Sequence, residues 1–371
     1  MSRPRWTLHA EALFWRTLMD AGMTLHRLAP PAPPQPTFTL TIPSTLSPTR
    51  GDIPLVFYTP PSYATRNPAQ KYPLLINFHG GGFTLGRATD DCRWAAAVVE
   101  QVGAVVASVD YRLAPEHPFP TAVEDGADAI LYLLAHAGEL GVDADRVGVS
   151  GFSAGGNMAF TTILRYEAAL RAGRERVGGL CVAVSWYPST DFTSSRELRR
   201  GTNTRPDKEL PRLFTELFDA SYLYPPGGVA MDDPYLSPGA AEEGVLAVLP
   251  AEVLLWTCEW DELAAEGERF RARLGEVGKR GGGRVVKGTA HAWDKSPNPT
   301  PLLWQTTPFC RACAGSAIGE TGAESRPSQS GPIVARQGRT KLTTQVKSTT
   351  QVKSTTQVKS TTQVKSTTQV K

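Results

Sequence analysis

Ser153 lies in Gly151-Phe152-Ser153-Ala154-Gly155-Gly156, directly after the apolar run Val147–Ser150 and directly before a helical stretch from Asn157 to about Leu170. A serine in a Gly-x-Ser-x-Gly turn between strand and helix is held on a tight elbow with its hydroxyl exposed. The glycines two residues either side let the two backbones approach without Cβ collisions. Such a serine offers nucleophilic attack on a carbonyl carbon and a covalent acyl intermediate. Ser150, three residues earlier, fails the pattern because Phe152 occupies the position that needs glycine.

A second motif, Phe78-His79-Gly80-Gly81-Gly82-Phe83, follows the apolar run Leu74–Phe78. Consecutive glycines leave backbone N–H groups uncovered and free to converge on a negative oxygen, as an oxyanion loop requires. A phosphate cradle is disfavoured because no Lys-Ser/Thr follows the glycines. An unassisted hydroxyl is a poor nucleophile at neutral pH, so Ser153 also needs a base and an orienting acid. Of the six histidines, His9 and His26 fall in an N-terminal helical stretch, His79 in the glycine loop and His136 in the helical stretch Ala122–Ala137. His117 precedes the nucleophile in the block Asp110–Pro118. His291 alone follows the serine in the chain order nucleophile, acid, histidine, after a predicted last strand Arg284–Val286. Asp261, just past the apolar run Val253–Thr257, is the expected acid, with Glu259 and Glu262 as neighbouring alternatives.

These residues need a scaffold. Thr37–Ile42 and Ile53–Tyr58 read as two strands of an antiparallel start, and Leu74–Phe78, Ala104–Val109, Val147–Ser150, Cys181–Trp186 and Val253–Thr257 as short buried strands, each followed by a turn and a helical stretch. The alternation predicts an α/β fold with a mostly parallel central sheet flanked by helices. Trp6–Arg27 reads as a helix whose apolar positions are Leu13, Phe14, Leu18, Ala21 and Leu25, stopped by the prolines from Pro30 to Pro36. Between Asp191 and Pro238 the alternation pauses; Leu210, Leu213, Phe214, Leu217, Phe218 and Tyr222 recur at helical spacing and fit a lid over the strand ends as well as a docked surface excursion.

Together the motifs resemble the hormone-sensitive-lipase-like branch of the alpha/beta hydrolases over about residues 73 to 294, through His79–Gly82, Asp110–Pro118, the elbow Gly151–Gly156 with Asn157, the Asp261-x-Leu263 turn and His291. Many bacterial members place Asp or Thr where this chain has Phe152. The resemblance implies Ser153 as nucleophile, His291 as base, Asp261 as orienting acid, and an oxyanion hole from the N–H groups of Gly81, Gly82 and Ala154, with His79, Gly80, Gly151 and Gly155 shaping the motifs. It implies a cap built partly from residues 1–36 and partly from an insertion at about 191–238, on a hydrolase domain spanning 37–320. In that family Arg112, Glu116 and His117 brace the oxyanion loop through ion pairs. The departure follows His291: Pro297, Pro299, Pro301 and Pro308 interrupt what is usually a closing helix.

The implied activity is hydrolysis of carboxylic esters of small to medium, fairly apolar substrates through an acyl-enzyme, without cofactor or metal. Amidase, formamidase or deacetylase chemistry uses the same three groups. A non-catalytic ligand receptor on the same scaffold would lack the histidine, which this chain retains. Composition excludes other classes. The 371 residues carry a net charge of +3 with 41% hydrophobic and 20% charged residues, enough apolar mass for a large core. Residues after 320 hold nine Lys+Arg and one acid, so the body before them is mildly acidic. That balance, with only Arg196, Arg199, Arg200 and Arg205 clustered, argues against nucleic-acid binding. No apolar run approaches the length of a membrane span or signal core, and five scattered cysteines suit reduced thiols, so a cytoplasmic location is expected. Cys310 and Cys313 have metal-site spacing but no second pair nearby. From Thr343 a Thr-Thr-Gln-Val-Lys-Ser repeat offers no packing face, so residues 321–371 are expected to be a disordered tail.

Overall fold

In the computed structural model, nine strands carry the described part of the chain, residues 3–295: β1 (Phe38–Pro43), β2 (Asp52–Tyr58), β3 (Tyr72–Phe78), β4 (Val105–Val109), β5 (Val142–Phe152), β6 (Leu180–Trp186), β7 (Glu252–Trp260), β8 (Arg280–Gly282) and β9 (Val285–Ala290). The spatial order is β1-β2-β4-β3-β5-β6-β7-β8, with β9 also paired to β7. β1, β2 and β4 join antiparallel, and every later pairing is parallel. Parallel neighbours need crossovers. These pass through α2 (Cys92–Val102), α3 (Thr121–Ala135), α4 (Ala154–Arg171) and α8 (Ala264–Glu276), while α5 (Arg196–Arg200), α6 (Arg212–Tyr222) and the short α7 (Glu243–Leu246) lie in the long connection from β6 to β7. The expected tail, the Cys310/Cys313 pair and the prolines from Pro297 to Pro308 lie outside the described residues.

The central strands are apolar on both faces because both faces are covered. On one side Ile76, Val147, Val149 and Leu255 pack with Ile130 of α3, Phe160 of α4 and Phe270 of α8, where Phe160 meets Phe270 edge-on at 5.0 Å. On the other, Leu75, Val106 and Val184 pack with Trp94 and Val98 of α2. Each such aliphatic side chain removed from water stabilises the fold by about 1.5–3 kcal/mol. The predicted strand near Arg284–Val286 is the start of β9. It follows β8 on the same flank of β7, and the break falls at Gly283, whose φ is +108° and whose missing Cβ would lie 1.8 Å from the Leu255 carbonyl oxygen.

Two sequence expectations are refined. The first helix, α1, forms over Arg5–Leu28 as expected, but the apolar positions that marked it as a helix face outward: Leu13, Phe14, Leu18 and Leu25 are 54–67% exposed. Leu8, Ala12, Met23 and His26 are buried instead, because α1 is held largely through polar anchors. Arg16 donates to the carbonyls of Thr84 and Ala114 and pairs with Glu116, and Arg93 donates to the carbonyls of His26 and Ala29. In the β6–β7 connection, helix α6 starts at Arg212, so Leu210 precedes it; Leu217 and Tyr222 are buried, whereas Leu213 is exposed. No helix among the described residues is long and apolar enough to cross a membrane.

Candidate active site

Ser153 directly follows β5 and caps α4 with φ 56° and ψ −114°, a conformation that L residues adopt only when the surroundings enforce it. The surroundings are glycines. A Cβ at Gly151 would sit 2.1 Å from the Gly155 carbonyl oxygen, and one at Gly155 would sit 2.0 Å from that of Phe78, so β5, α4 and the end of β3 approach closely only without side chains there. The Ser153 N–H donates to the Trp186 carbonyl at 2.9 Å, tying the turn to the end of β6. Asn157, one turn into α4 and fully buried, donates to the carbonyls of Ser189 and Leu236, both at 2.8 Å, and so ties two points of the β6–β7 connection to the same helix.

Three distant segments meet at this turn. His291, just after β9, lies with Nε2 2.8 Å from the Ser153 hydroxyl and Nδ1 2.7 Å from an Asp261 carboxylate oxygen; the other Asp261 oxygen accepts the Leu263 N–H at 3.0 Å. Of the alternative acids, Glu259 faces outward onto Lys287 and the Gly288 N–H. Glu262 is buried but turns away from the imidazole to pair with Arg196 at 2.7 Å and Arg200 at 3.2 Å. Burial alone would push the His291 imidazole down. The Asp261 carboxylate, by charge and hydrogen bond, and the charges of Glu262 and Asp294 outweigh that and hold it above its ordinary value. The remaining histidines sit elsewhere: His26 beside Arg93, His136 stacked on Tyr132, and His117 held below its ordinary value by burial and the nearby Arg112 charge.

The glycine loop after β3 reaches the same place. Gly81 has φ +116°, and its carbonyl accepts the N–H groups of Thr84 and Leu85, folding the loop back under Ser153. Gly82 carries no side chain where a Cβ would meet the Phe218 ring of α6 at 2.2 Å. Ala154 opens α4, so its N–H belongs to the positive end of an 18-residue helix. His79 is buried behind the loop, its ring stacked on Tyr111 at 4.3 Å, and the Tyr111 hydroxyl donates to the His79 carbonyl at 2.8 Å. Tyr111 in turn adjoins Arg112, which makes a buried, doubly bonded pair with Asp125 of α3. Within the Asp110–Pro118 block, Tyr111 therefore contacts the loop through His79, Arg112 ties the block to α3, and Glu116 reaches the α1 residue Arg16. Asp125→Ala strips the tie to α3 and leaves the Arg112 cation nearly buried without its partner; the expected loss is about 3–5 kcal/mol, read as a lowered urea midpoint.

A cavity of about 390 Å³ opens onto Ser153, His291 and Gly80–Gly82, walled by Met19, Met23, Leu85, Phe152, Phe214 and Phe218. A smaller lobe on the other side of Ser153 is bounded by Phe192, Arg196, Leu210, Asp219 and Glu262. Residues of α1 and α6 thus share the wall, with Trp15 edge-on to Phe214 at 4.7 Å. Sequence reasoning weighed Arg196 only as part of a basic cluster, and did not single out Tyr111, Asn157 apart from its motif, Asp90 or Lys295. For Lys295, the signal was a charged Asp-Lys pair so soon after His291.

A strained serine at a strand–helix elbow, a hydrogen-bonded histidine and acid, and a glycine loop on an eight-strand path are the marks of an alpha/beta hydrolase. The family model described as alpha/beta hydrolase fold matches residues 75–295, and the chain belongs to that family, in its hormone-sensitive-lipase-like branch. It is 34% identical over 228 residues to an arylesterase of Saccharolobus solfataricus, spanning 60% of this chain and 69% of the relative. It is 35% identical over 125 residues to human hormone-sensitive lipase, covering 34% of this chain and 11% of that protein. The fold superposes on the hyperthermophilic esterase from the archaeon Pyrobaculum calidifontis with a TM-score of 0.66 at 29% identity, covering 84% of this chain and 95% of that one.

Proposed function

We propose that this chain hydrolyses carboxylic esters of small to medium, apolar substrates, with Ser153 as nucleophile, His291 as general base and acid, and Asp261 as the group that orients and charges the imidazole. The observation that carries this reading is the unbroken chain Asp261–His291–Ser153, with separations of 2.7 and 2.8 Å, at the wall of an apolar cavity. The Ser153 hydroxyl attacks the ester carbonyl carbon and passes its proton to His291 Nε2. The oxygen of the tetrahedral intermediate accepts hydrogen bonds from the N–H groups of Gly81, Gly82 and Ala154, each donor contributing about 3 kcal/mol. His291 then protonates the departing alcohol, and a water activated by the same nitrogen releases the acid. The helix α1 and residues 191–238 act as the cap that closes the substrate chamber.

The Met, Leu and Phe walls favour hydrocarbon over charge along most of the cavity, and its volume limits length. The purified protein is expected to turn over 4-nitrophenyl esters with acyl chains of about two to eight carbons and to lose rate steeply beyond them. The matched 4-nitroanilides should be cleaved far more slowly. Equal or faster anilide cleavage would make it an amidase; no turnover of any ester would remove the reading altogether.

A further inference from the structure

Two charged side chains lie in the Ser153 cavity without a part in acyl transfer: Asp90 and Lys295. Lys295 is committed. Its ammonium bonds Asp91 closely, lies 2.9 Å from Asp294 and sits 4.2 Å above the Phe152 ring, so two carboxylates already answer one cation. Asp294 also accepts the buried Tyr187 hydroxyl. Asp90 is only half satisfied. It is 4% exposed, and one carboxylate oxygen accepts the Arg87 N–H at 2.9 Å, but Oδ1 accepts no hydrogen bond. Arg27 forms a long ion pair with Oδ1 at 3.8 Å, beyond hydrogen-bond reach, and its guanidinium donates to Thr89 and Thr24. The neighbouring His79 ring offers a second unpartnered buried atom, Nε2, while its Nδ1 lies 2.8 Å from the Gly80 carbonyl.

A buried acceptor left open is unfavourable unless a donor arrives to fill it. Arg27 answers Asp90 Oδ1 only through space, at 3.8 Å, while Lys295 is taken up by Asp91 and Asp294, so the cavity end at Asp90 offers an acceptor with no donor on it. Burial pushes the Asp90 carboxyl above its ordinary value, the His79, Arg87 and Lys295 contacts opposing it, which marks the same lack of solvation. We propose that this end of the cavity recognises a cationic hydrogen-bond donor, so that the preferred esters carry an alkylammonium at the end of one arm, its N–H on Asp90 Oδ1 and its methylenes along Met19, Met23 and Leu85. This substrate class rests on the serine esterase reading above, but the recognition is measurable without catalysis.

The test is calorimetric titration of the wild-type protein with hexylammonium, 1-hexanol and hexanoate, three non-substrates of similar length. Hexylammonium is expected to bind about tenfold or more tightly than either, the worth of one charge-assisted hydrogen bond. Asp90→Asn, which keeps the shape and the acceptor for Arg87, should bring hexylammonium to within about twofold of 1-hexanol. Equal binding of hexanol or hexanoate by the wild type, or an unchanged preference in a folded Asp90→Asn protein, overturns the proposal. Should the variant not fold, the wild-type ranking still decides. Failure of ester turnover with the ammonium preference intact would sink the esterase reading and leave the recognition site standing.

Discussion

Ser153→Ala is expected to lower kcat for 4-nitrophenyl butyrate by about 10⁴- to 10⁶-fold while leaving the thermal midpoint within a few degrees. The size of the loss follows from the arrangement of the site. Without the hydroxyl there is no covalent intermediate; His291 and the oxyanion donors can only assist a loosely held water, which elsewhere retains a small residual rate. The midpoint should hold because the one hydrogen bond of the Ser153 side chain among the described residues is to His291 Nε2, whereas the strained turn is enforced by backbone neighbours that the substitution does not touch. Alanine at φ 56° carries the same kind of strain as serine. Activity retained at more than a few per cent in protein free of other esterases would mean that a different group attacks the ester.

Asp261→Asn should reduce kcat/KM by roughly 10⁴-fold, because the amide turns the imidazole toward the wrong tautomer and removes the charge that favours its protonated form. The pH dependence gives the sharper reading. In the wild type, His291 is held above the ordinary histidine value, and only its neutral form accepts the Ser153 proton. Activity should therefore rise with pH along a limb centred above about 6.5. In Asp261→Asn, the charge and charged hydrogen bond that most oppose burial are gone, leaving only the more distant Glu262 and Asp294 charges, and the residual activity should show that limb displaced to lower pH. A limb that stays in place would mean Asp261 does not set the imidazole's proton affinity. Stability runs in the opposite sense: the contribution of the raised His291 is complete below the unfolded value and is lost as pH climbs through the folded one. The enzyme should be most active on the side where this pair stabilises it least.

The parts of the site readable from sequence are those whose chemistry is local to the backbone. Gly-x-Ser-x-Gly and the glycine loop announce themselves because steric freedom is needed at fixed offsets from a strand end, and Gly155 and Gly81 bear this out by the collisions a Cβ would make. The strands were legible because burial on both faces leaves unbroken apolar runs. The choice of Asp261 over Glu262 followed its place after the strand; the structure adds that Glu262 is occupied by Arg196 and Arg200. What was not legible is tertiary. The α1 periodicity correctly indicated a helix, but spacing cannot say which stripe faces protein when arginines such as Arg16 and Arg93 anchor the helix from the side. The Asp90, Asp91, Lys295 and Asp294 cluster joins residues some 200 positions apart, and no local pattern brings them together.

The break at Gly283 has a kinetic side. His291 is delivered by β9, which among the described residues is paired only to β7, through a register that shifts between Cys258 and Trp260. Ser153, in contrast, directly follows β5, which is flanked on both sides by β3 and β6. The proposed base is thus expected to ride on a unit that opens locally, and the proposed nucleophile on a strand paired along both edges, which is expected to persist longer. In mild denaturant, catalysis should fade before the tryptophan fluorescence of the core changes, and β9 amides should exchange with deuterium well ahead of those of β5. Turnover would then report fraying of one flank of the sheet long before global unfolding begins.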